Sequence, residues 1–401
     1  MRVLHLTNEY PPIIHGGLGT AVGGLVTASA EAGLEVAVLL VGHTGHIGYG
    51  PGGDDLDDHV PPDSVAQLPV ICVPWAEAAE VGAAMARTWR PDVIHLHPFW
   101  LWPVASAIRD RVGTPIVYTV HSLDRAEYEI GHGPPECLTQ SDLQAEAITG
   151  ADRVIALTNN ERRLIEGYCP ESAGRVRVVG NGIADEHGLR PRHDQTAVEH
   201  APVVLFSGRF VDRKGVRELL AAIPQVLADA PETRFVLAGG HRHCTSEEMT
   251  LWWLPEALET HRDKVFFTGW LTPDELLGYY RAADILVVPS WYEPFGMVIL
   301  EGMLHGLAVA AASVGGPAEI MDHDRTGLLF PARDAMALSR TITRLTSDTA
   351  LRRRLGAAAA AHVRDTWLWP KVLAKMNNVY DEGRAQATWP IAAHALVAGT
   401  R

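Results

Sequence analysis

The sequence predicts an α/β protein of two doubly wound domains, each a parallel sheet covered by helices. Three observations support this prediction. Short runs of β-branched and aliphatic residues recur along the chain, each run is followed by a helical stretch, and the runs form two series separated by a segment without periodicity. Near-continuous apolar runs are typical of strands buried on both faces, and regular alternation of strand and helix is typical of a parallel sheet.

The first series contains seven predicted strands. They lie at residues 2–7, 35–42, 70–75, 92–97, 115–121, 153–158 and 175–179. A segment rich in His, Pro and charged residues follows at 185–202, and it is the predicted linker because it has neither helical nor strand periodicity. We therefore expect the first domain to occupy residues 1–196.

The second series contains six predicted strands and ends in helices. The strands lie at residues 203–208, 234–240, 264–269, 285–290, 307–314 and 326–330, and the helices at 335–346, 350–365 and 369–383. We expect the second domain to occupy residues 197–366. In doubly wound sheets ligands bind at the carboxyl ends of the strands, so functional residues should lie in the loops that follow them.

Composition and charge limit the classes of function. The 401 residues include 34 Lys and Arg against 48 Asp and Glu, a net charge of −14, which argues against a nucleic-acid-binding protein because phosphate binding needs a basic face. The four cysteines lie far apart without a Cys-x-x-Cys pair, so neither a zinc knuckle nor a disulfide framework is indicated. No apolar run approaches about 18 residues, and the apolar N-terminus is too short for a signal peptide. We expect a cytoplasmic protein without a membrane span.

Nearly all of the acidity lies in the first predicted domain. Residues 1–196 contain 13 Arg, no Lys and 25 acidic residues, a net charge of −12, whereas the remaining residues carry −2. Such a domain is repelled by an anionic bilayer, so membrane association is not expected. It would instead concentrate a cationic ligand.

A glycine-rich loop follows the first predicted strand. Gly16 and Gly17 stand at the start of the next helix, where backbone N–H groups can approach a phosphate closely. The spacing is not that of the dinucleotide-binding G-x-G-x-x-G pattern, and a tight turn without a ligand explains the same glycines equally well.

Two candidate ligand-binding cations, Arg209 and Lys214, follow the first strand of the second series. The segment reads Ser207-Gly208-Arg209-Phe210-Val211-Asp212-Arg213-Lys214-Gly215. Arg209 and Lys214 should therefore lie at a strand end beside a helix N-terminus, where positive groups can converge on a diphosphate. Solvation at the surface is the simple alternative for either side chain taken alone.

Two carboxylates follow the fourth strand of the second series. Glu293 stands in the loop, and Glu301 stands inside the helix that begins near Gly296. A carboxylate near the start of a helix is explained by the helix dipole. A second carboxylate inside an otherwise apolar helix needs polar partners, which the hydroxyls of a sugar or ribose would supply.

These motifs together resemble the retaining glycosyltransferases of the GT-B fold, family 4 in particular. The resemblance is carried by Glu293 and Glu301 with seven residues between them, by the loop from Gly208-Arg209 to Lys214-Gly215, and by the stretch from Gly315-Gly316-Pro317 to Gly327-Leu328-Leu329. Agreement of several motifs in one order is far more specific than any single pattern. The Gly16-Gly17-Leu18-Gly19 loop is similar to that of glycogen and starch synthases, which carry Lys at the position of His15.

The resemblance implies a fold and a separate binding role for each domain. In the GT-B fold two Rossmann-like domains face each other across a cleft, and the last helix, in residues 367–401, returns to the first domain. The first domain would bind the acceptor, and the second the donor, a nucleotide-diphosphate sugar with UDP as the expected nucleotide. Arg209 and Lys214 would bind the diphosphate and stabilise its charge as it leaves.

The resemblance also implies roles for residues around the donor. Glu301 would bind the ribose hydroxyls, Glu293 the hydroxyls of the transferred sugar, and His121 would approach that sugar. The remaining donor-site residues contribute backbone N–H groups or flank the base, and they are Phe295, Gly296, Met297, Trp270 and Leu271. For His121 a structural role in the core is the simple alternative. His97 is a further candidate on the acceptor side, and His95 is expected to be structural.

The implied reaction is hexosyl transfer (EC 2.4.1 type) with retention, by front-side attack of the acceptor hydroxyl without a protein nucleophile. No metal or other cofactor is expected. The acidic run at residues 54–58 lies in a Pro- and Gly-rich loop without a preceding strand, so we interpret it as a solvated loop and not as a metal site. The expected acceptor is small and soluble, with an amino sugar or aminocyclitol as the hypothesis. Elongation of an α-glucan and a sugar-nucleotide-binding protein without turnover are the alternatives. The sequence gives no indication of the oligomeric state.

Overall fold

The computed structural model describes residues 1–14, 16–43, 69–131, 136–185, 201–241 and 244–386, and the statements below refer to these ranges. Most of the predicted linker and the acidic run at 54–58 lie outside them. The chain divides into two compact units. The first unit comprises residues 1–126, 134–182 and 369–401, and the second comprises residues 127–133 and 183–368.

The first unit is built on a seven-stranded parallel sheet. Its strands are β1 (Arg2–Thr7), β2 (Glu35–Val41), β3 (Val70–Val73), β4 (Val93–Leu96), β5 (Ile116–Val120), β6 (Arg153–Ala156) and β7 (Val176–Val178). Their spatial order is β3-β2-β1-β4-β5-β6-β7. Strands β4, β5 and β6 are buried over their whole length, which explains why the sequence shows apolar runs there instead of alternation.

Helices connect these strands. They are α1 (Gly17–Glu31), α2 (Ala78–Trp89), α3 (Trp102–Val112), α4 (Asp124–Glu129), α5 (Glu136–Gly150) and α6 (Asn159–Tyr168). The side chain of Thr158 caps α6 by accepting a hydrogen bond from the Glu161 N–H. The boundary between the two units falls inside α4, after residue 126.

The second unit is built on a six-stranded parallel sheet. Its strands are β8 (Val203–Gly208), β9 (Arg234–Gly239), β10 (Val265–Gly269), β11 (Ile285–Val288), β12 (Ala308–Ala312) and β13 (Leu328–Phe330), in the order β10-β9-β8-β11-β12-β13. Its helices are α7 (Val216–Asp229), α8 (Ser246–Trp253), α9 (Pro273–Ala282), α10 (Met297–Leu304), α11 (Gly315–Ile320), α12 (Ala335–Ser347) and α13 (Thr349–Thr366). The core forms where apolar side chains of the sheet pack against α7 and α12.

Helix α14 (Trp369–Gln386) follows the second unit in sequence but belongs to the first. Gly24 on α1 and Gly182 leave room for the Trp369 indole, because a Cβ on either glycine would lie 2.5 Å from an indole atom. Helix α14 packs against α1 and against strands β4, β5 and β6 of the first unit. The Tyr380 hydroxyl forms a hydrogen bond with His95 at 2.8 Å.

The units differ from the predicted domain boundaries at 196 and 366. The Ile183 N–H donates to the Trp367 carbonyl at 2.9 Å, and Asp185 pairs with Arg364 at 2.8 Å, so residues 183–185 pack with the second unit. Residues 127–133 also belong to that unit, where Glu127 contacts Arg213. Local periodicity carries no information about pairs so distant in sequence.

Both sheets have the doubly wound strand order, so the predicted α/β fold class is confirmed. Among the helices in the described ranges, none combines the length and the apolar character needed to span a bilayer.

Candidate active site

Each sheet has one point where the strand order reverses, between β1 and β4 in the first unit and between β8 and β11 in the second. The loops that leave the carboxyl ends of such strand pairs are the usual ligand sites of doubly wound sheets. Arg209 follows β8 and Glu293 follows β11, whereas His97 follows β4. The structure therefore places three predicted site residues beside a reversal point of their own sheet.

Glycines bring the loop after β8 close to the end of β11. Gly215 has a φ of +71°, and a Cβ at this position would lie 2.0 Å from the Pro289 carbonyl oxygen, so only glycine fits. This close approach carries the preceding residue, Lys214, to the loop after β11. The Nζ of Lys214 lies 2.5 Å from the Oε2 of Glu293, and the two side chains are 18% and 9% exposed.

The Lys214–Glu293 ion pair has a distinct electrostatic environment. Burial alone would raise the pKa of Glu293, but the charges of Lys214 and Arg213 and hydrogen bonds from Lys214 and Ser290 outweigh it, and the pKa lies below its ordinary value. Burial lowers the pKa of Lys214; the charge of Glu293 opposes this effect, and Arg213 and Arg209 add to it. The pair is therefore ionised near neutral pH, with additional positive charge around it.

The two arginines of this loop have different surroundings. Arg209 is exposed at the end of β8. Arg213 is buried, its guanidinium lies 3.2 Å from Glu127 and donates to the Tyr292 carbonyl, and its own carbonyl accepts from the Trp291 N–H. Arg213 thus holds the backbone just before Glu293, whereas Arg209 is an exposed residue.

The glycine pair of α11 braces the loop that carries Glu293. The Gly316 N–H donates to the Glu293 carbonyl at 2.8 Å. A Cβ on Gly316 would lie 1.8 Å from the Phe295 carbonyl oxygen, so the two backbones touch directly. Gly296 has a φ of +105° and begins α10 without a side-chain cap, and Met297 is the first residue of that helix. Backbone N–H groups at the start of α10 are thereby presented beside Glu293.

Glu301 is half-buried on α10 and is bound by a tyrosine. The Tyr280 hydroxyl donates to its Oε2 at 2.6 Å, and Ser207 at the end of β8 also hydrogen-bonds Tyr280. Burial raises the pKa of Glu301, and the bond from Tyr280 opposes this rise. Burial and the neighbouring Glu301 raise the pKa of Tyr280 far above its ordinary value, so the tyrosine remains a donor. A second acceptor oxygen of Glu301 remains for a ligand hydroxyl.

The predicted base-binding segment lies at the carboxyl end of the edge strand β10. Gly269 has a φ of +73°, and a Cβ there would lie 2.5 Å from the Cys244 carbonyl oxygen. The Trp270 indole is 36% exposed, and Leu271 beside it is half-buried. The structure thus leaves an aromatic surface two strands away from β8.

In the first unit, Gly16 and Gly17 lie at the N-terminus of α1, as predicted, with His15 outside the described ranges. No side chain caps this helix, and its first turn contains no acidic residue. However, a Cβ on Gly19 would lie 3.1 Å from the Oε2 of Glu9, so a carboxylate already lies beside the first turn. This carboxylate would compete with a phosphate for the same N–H groups.

Four histidines gather at the reversal point of the first unit. The Nε2 of His121 lies 3.2 Å from the Nδ1 of His97, and the Nε2 of His97 lies 3.0 Å from the Nδ1 of His5. His95 contacts Thr119 at 2.7 Å through Nε2 and Tyr380 at 2.8 Å through Nδ1. Burial lowers the pKa of His5 to about 3 and of His121 to about 4, and it is also the largest cause of the lowered pKa of His95 and His97. All four imidazoles are therefore neutral near pH 7.

Ligand nitrogens of His5, His95 and His97 lie within 4.8 Å of one another, a spacing at which they could hold a metal ion. Their hydrogen bonds occupy both nitrogens of His95 and of His97. Only the Nε2 of His5 lacks a hydrogen-bond partner in the described chain. A metal bound by all three would thus have to break existing hydrogen bonds.

Sequence reasoning missed three residues that shape these sites: His5, Arg213 and Tyr280. Tyr280 lies on an amphipathic helix, where an aromatic residue normally indicates core packing, so no local signal marks it. Arg213 stands next to Lys214, and spacing alone does not tell which of two adjacent cations turns inward. His5 lies inside an apolar strand, and the presence of a polar histidine in such a strand is the only feature of the sequence that could have indicated its role.

Two family models match the chain, one to each half. The model described as glycosyl transferases group 1 matches residues 191–362, and the model described as glycosyl transferase 4-like domain matches residues 16–182. These two matches include the residues of both sites described above, apart from His5, Glu9 and Tyr380.

Known proteins resemble the chain over most of its length. Glycogen synthase of Mycobacterium tuberculosis is 28% identical over 431 aligned residues, which cover 99% of this chain and 99% of the relative. D-inositol 3-phosphate glycosyltransferase of Corynebacterium efficiens is 31% identical over 305 residues, which cover 73% of this chain and 71% of the relative. The crystal structure of Anabaena Alr3699/HepE in complex with UDP and glucose has a TM-score of 0.69 at 20% identity, covering 95% of this chain and 99% of that chain, a likeness of fold.

Proposed function

Because the chain belongs to the GT-B glycosyltransferases of family 4, we propose that it transfers a hexose from a nucleotide-diphosphate sugar to a hydroxyl of a small soluble acceptor, with retention at the anomeric carbon. The observation that carries this proposal is the ionised pair of Lys214 and Glu293 at the reversal point of the second sheet. An ammonium held by a carboxylate and surrounded by further positive charge suits a diphosphate next to a sugar.

The cations of this loop would stabilise the leaving group. As the bond between the anomeric carbon and the diphosphate breaks, negative charge grows on the departing phosphate, and fixed cations stabilise it without reorganisation. Lys214 is held in place by Glu293, and the exposed Arg209 supplies a second cation. The acceptor hydroxyl attacks from the side the diphosphate leaves, and a phosphate oxygen takes its proton. No metal is part of the proposed reaction.

The carboxylates would orient the donor. Glu293 keeps a low pKa and is an acceptor for hydroxyls of the transferred sugar, while Glu301 uses the oxygen that Tyr280 leaves available for ribose hydroxyls. The start of α10 adds backbone N–H groups near the phosphate. We propose that His121, a neutral imidazole, hydrogen-bonds the transferred sugar during turnover.

UDP is the proposed nucleotide, supported by the UDP and glucose of the Anabaena protein with the same fold. A thermal-shift series with UDP-, GDP- and ADP-sugars tests this choice, because a ligand that binds only the folded state stabilises that state by mass action and raises Tm. A shift with an ADP-sugar but not with UDP-sugars would replace UDP by ADP in the proposal.

The acceptor is proposed to be an amino sugar or aminocyclitol. The support is the charge of −12 over residues 1–196, which would attract a cationic acceptor and repel an anionic one. Incubation of one UDP-sugar with matched pairs of acceptors, each an amino compound and its hydroxyl analogue, tests the charge directly. Equal rates for both members of each pair would remove the basis for an amine.

Elongation of an α-glucan is a second candidate. It is favoured by the 28% identity with glycogen synthase, in an alignment that covers 99% of both chains. Incubation with glycogen and labelled UDP- or ADP-glucose distinguishes the two. Incorporation into the polymer at a rate above that for small acceptors would favour elongation.

The catalytic assignment is tested with two variants and a control. Lys214→Ala and Glu293→Gln should each lower kcat/KM by about a hundredfold or more, since each removes a charge that acts in the transition state. Lys264→Ala is the matched control, because Lys264 lies in the same unit and pairs at 3.6 Å with Glu232, which is 79% exposed. Activity that survives both site variants would refute the assignment.

A further inference from the structure

Three imidazoles of the first unit are hydrogen-bonded in series: His5, His97 and His121. The links run from the Nδ1 of His5 to the Nε2 of His97 at 3.0 Å, and from the Nδ1 of His97 to the Nε2 of His121 at 3.2 Å. His5 and His97 are buried, and His121 is the half-buried end of the series. Nothing in the proposed reaction explains why His121 should be connected to the core in this way.

The series has only two consistent arrangements of protons. A neutral imidazole carries one N–H, and each link needs a donor on one side and an acceptor on the other. Either every histidine carries its proton on Nδ1, so that the series donates from His5 toward His121, or every one carries it on Nε2, so that it donates from His121 toward His5. The state of His121 is thus coupled to the state of His5.

The buried end of the series favours the first arrangement. The Nε2 of His5 is buried without a hydrogen-bond partner in the described chain. In the second arrangement this nitrogen would be an unpaired N–H in the core, whereas in the first it is an unpaired lone pair. Orphaned buried N–H groups are rarer in proteins than under-satisfied acceptors.

We propose that His97 is a positioning residue that donates its Nδ1–H to the Nε2 of His121 and so holds His121 in the tautomer that carries its proton on Nδ1. This inference rests on the proposed role of His121 toward the transferred sugar. The bond from His97 fixes the orientation of the His121 ring and determines which of its nitrogens carries the proton. A hydrogen bond to one ring nitrogen sets the tautomer of catalytic histidines in the same way. His121 then offers one N–H donor, on Nδ1, to a ligand.

The neighbouring His95 belongs to the same cluster but not to the series. Its nitrogens contact Thr119 and Tyr380, and its ring centroid lies 4.1 Å from that of His97. Replacement of His95 by Phe removes an imidazole of equal burial without touching either link of the series. It is therefore the matched control for a general disturbance of the core.

The tautomers can be read directly by nuclear magnetic resonance of protein labelled with 15N-histidine. The His121 signals are identified by their loss in His121→Gln. We expect an unprotonated Nε2 and a protonated Nδ1 on His121, the opposite of the preference of free neutral histidine in water. In His97→Leu the His121 signals should shift toward the Nε2–H form, and in His95→Phe they should not. A protonated Nε2 in the wild type, or signals unaffected by His97→Leu, would overturn the inference.

Kinetics with UDP-glucose and a small acceptor test the consequence. His97→Leu should lower kcat about tenfold or more while the Kd for UDP alone changes by less than about twofold, because a wrong tautomer impairs the reaction rather than the binding of the nucleotide. His97→Asn should restore much of kcat, since its amide N–H can stand where the imidazole Nδ1–H stood. Loss of UDP binding in His97→Leu, or no rescue by Asn, would indicate a merely structural role.

The two proposals fail in distinguishable ways. If the wild type transfers no sugar from UDP-glucose, the proposed function fails while the resonance experiment still decides the tautomer. One equivalent of zinc bound to the purified protein and lost in His5→Phe would overturn the tautomer inference instead, because a metal would then hold the histidines.

Discussion

Replacement of Lys214 by Met isolates the buried charge of Glu293. The side chain of Glu293 is 9% exposed and loses its partner at 2.5 Å, while Arg213 and the hydroxyl of Ser290 at 3.3 Å remain. Removal of one partner of a buried ion pair costs about 3–5 kcal/mol, because the remaining charge is left without compensation. We expect a loss of this size in the free energy of unfolding near pH 8.

The pH dependence gives the sign of the effect. In the wild type the pKa of Glu293 lies below its ordinary value, so its ionisation contributes stability above the unfolded pKa, and this contribution is lost as the pH falls through the folded pKa. In Lys214→Met burial prevails and the folded pKa rises above the unfolded one. The variant should therefore lose stability relative to the wild type as the pH rises above about 4.5.

Urea unfolding of the wild type and variant at about pH 5 and about pH 8 measures the difference. The double variant Lys214→Met/Glu293→Gln should regain most of the loss at pH 8, since no buried charge is left unpaired. Lys264→Met, which breaks a pair whose Glu232 side chain is 79% exposed, should cost less than about 1 kcal/mol at either pH. An equal loss for Lys214→Met at both pH values, or a double variant no more stable than the single one, would refute the reasoning.

Four further outcomes are expected. Gly316→Ala should destabilise the protein by about 1–3 kcal/mol, because its Cβ would lie 1.8 Å from the Phe295 carbonyl oxygen. Gly278→Ala, at an exposed position of α9 where an added Cβ meets no atom within 4 Å, should stabilise the protein by about 0.5–1 kcal/mol in the same thermal melt. Tyr280→Phe should raise the pKa of Glu301 further and move the pH midpoint of UDP binding, measured by calorimetry, to a higher pH, since ribose hydroxyls need the ionised carboxylate. EDTA should leave turnover unchanged, and a metal-dependent rate would contradict the cation-only mechanism. The KM for an amine-bearing acceptor should rise between low and physiological ionic strength, and a constant KM would remove the case for electrostatic attraction.

The strand and helix pattern was predictable because it depends on local burial. Strands that are buried on both faces must be apolar throughout, and all thirteen predicted strands are found. Their predicted carboxyl ends often extend too far, as at 115–121, where β5 ends at Val120 and His121 begins the loop. Where a loop packs against the sheet, apolar residues continue beyond the last hydrogen bond between neighbouring strands. The sequence therefore does not show where a strand ends.

The candidate site was predictable in its charges but not in its pairs. Residue type and position after a strand identify Lys214 and Glu293, since a charge at the carboxyl end of a buried strand needs a partner. That they partner each other depends on the close approach of Gly215 to the end of β11, a contact between residues 74 positions apart. The same reason hides Tyr280, whose bond to Glu301 joins two helices that local patterns treat separately.

The two sheets share a strand order but differ in the chemistry at their reversal points. In the second unit the groups are charged: an ion pair, an exposed arginine and a half-buried carboxylate. In the first unit they are four imidazoles that burial keeps neutral, although residues 1–196, in which they lie, carry a net charge of −12. A protonated histidine beside acidic surroundings would gain from Coulomb attraction, so the lowered pKa values mean that burial prevails there. In the proposed reaction, neutral imidazoles would orient the sugar without attracting the diphosphate, and the charged groups of the second unit would bind the diphosphate.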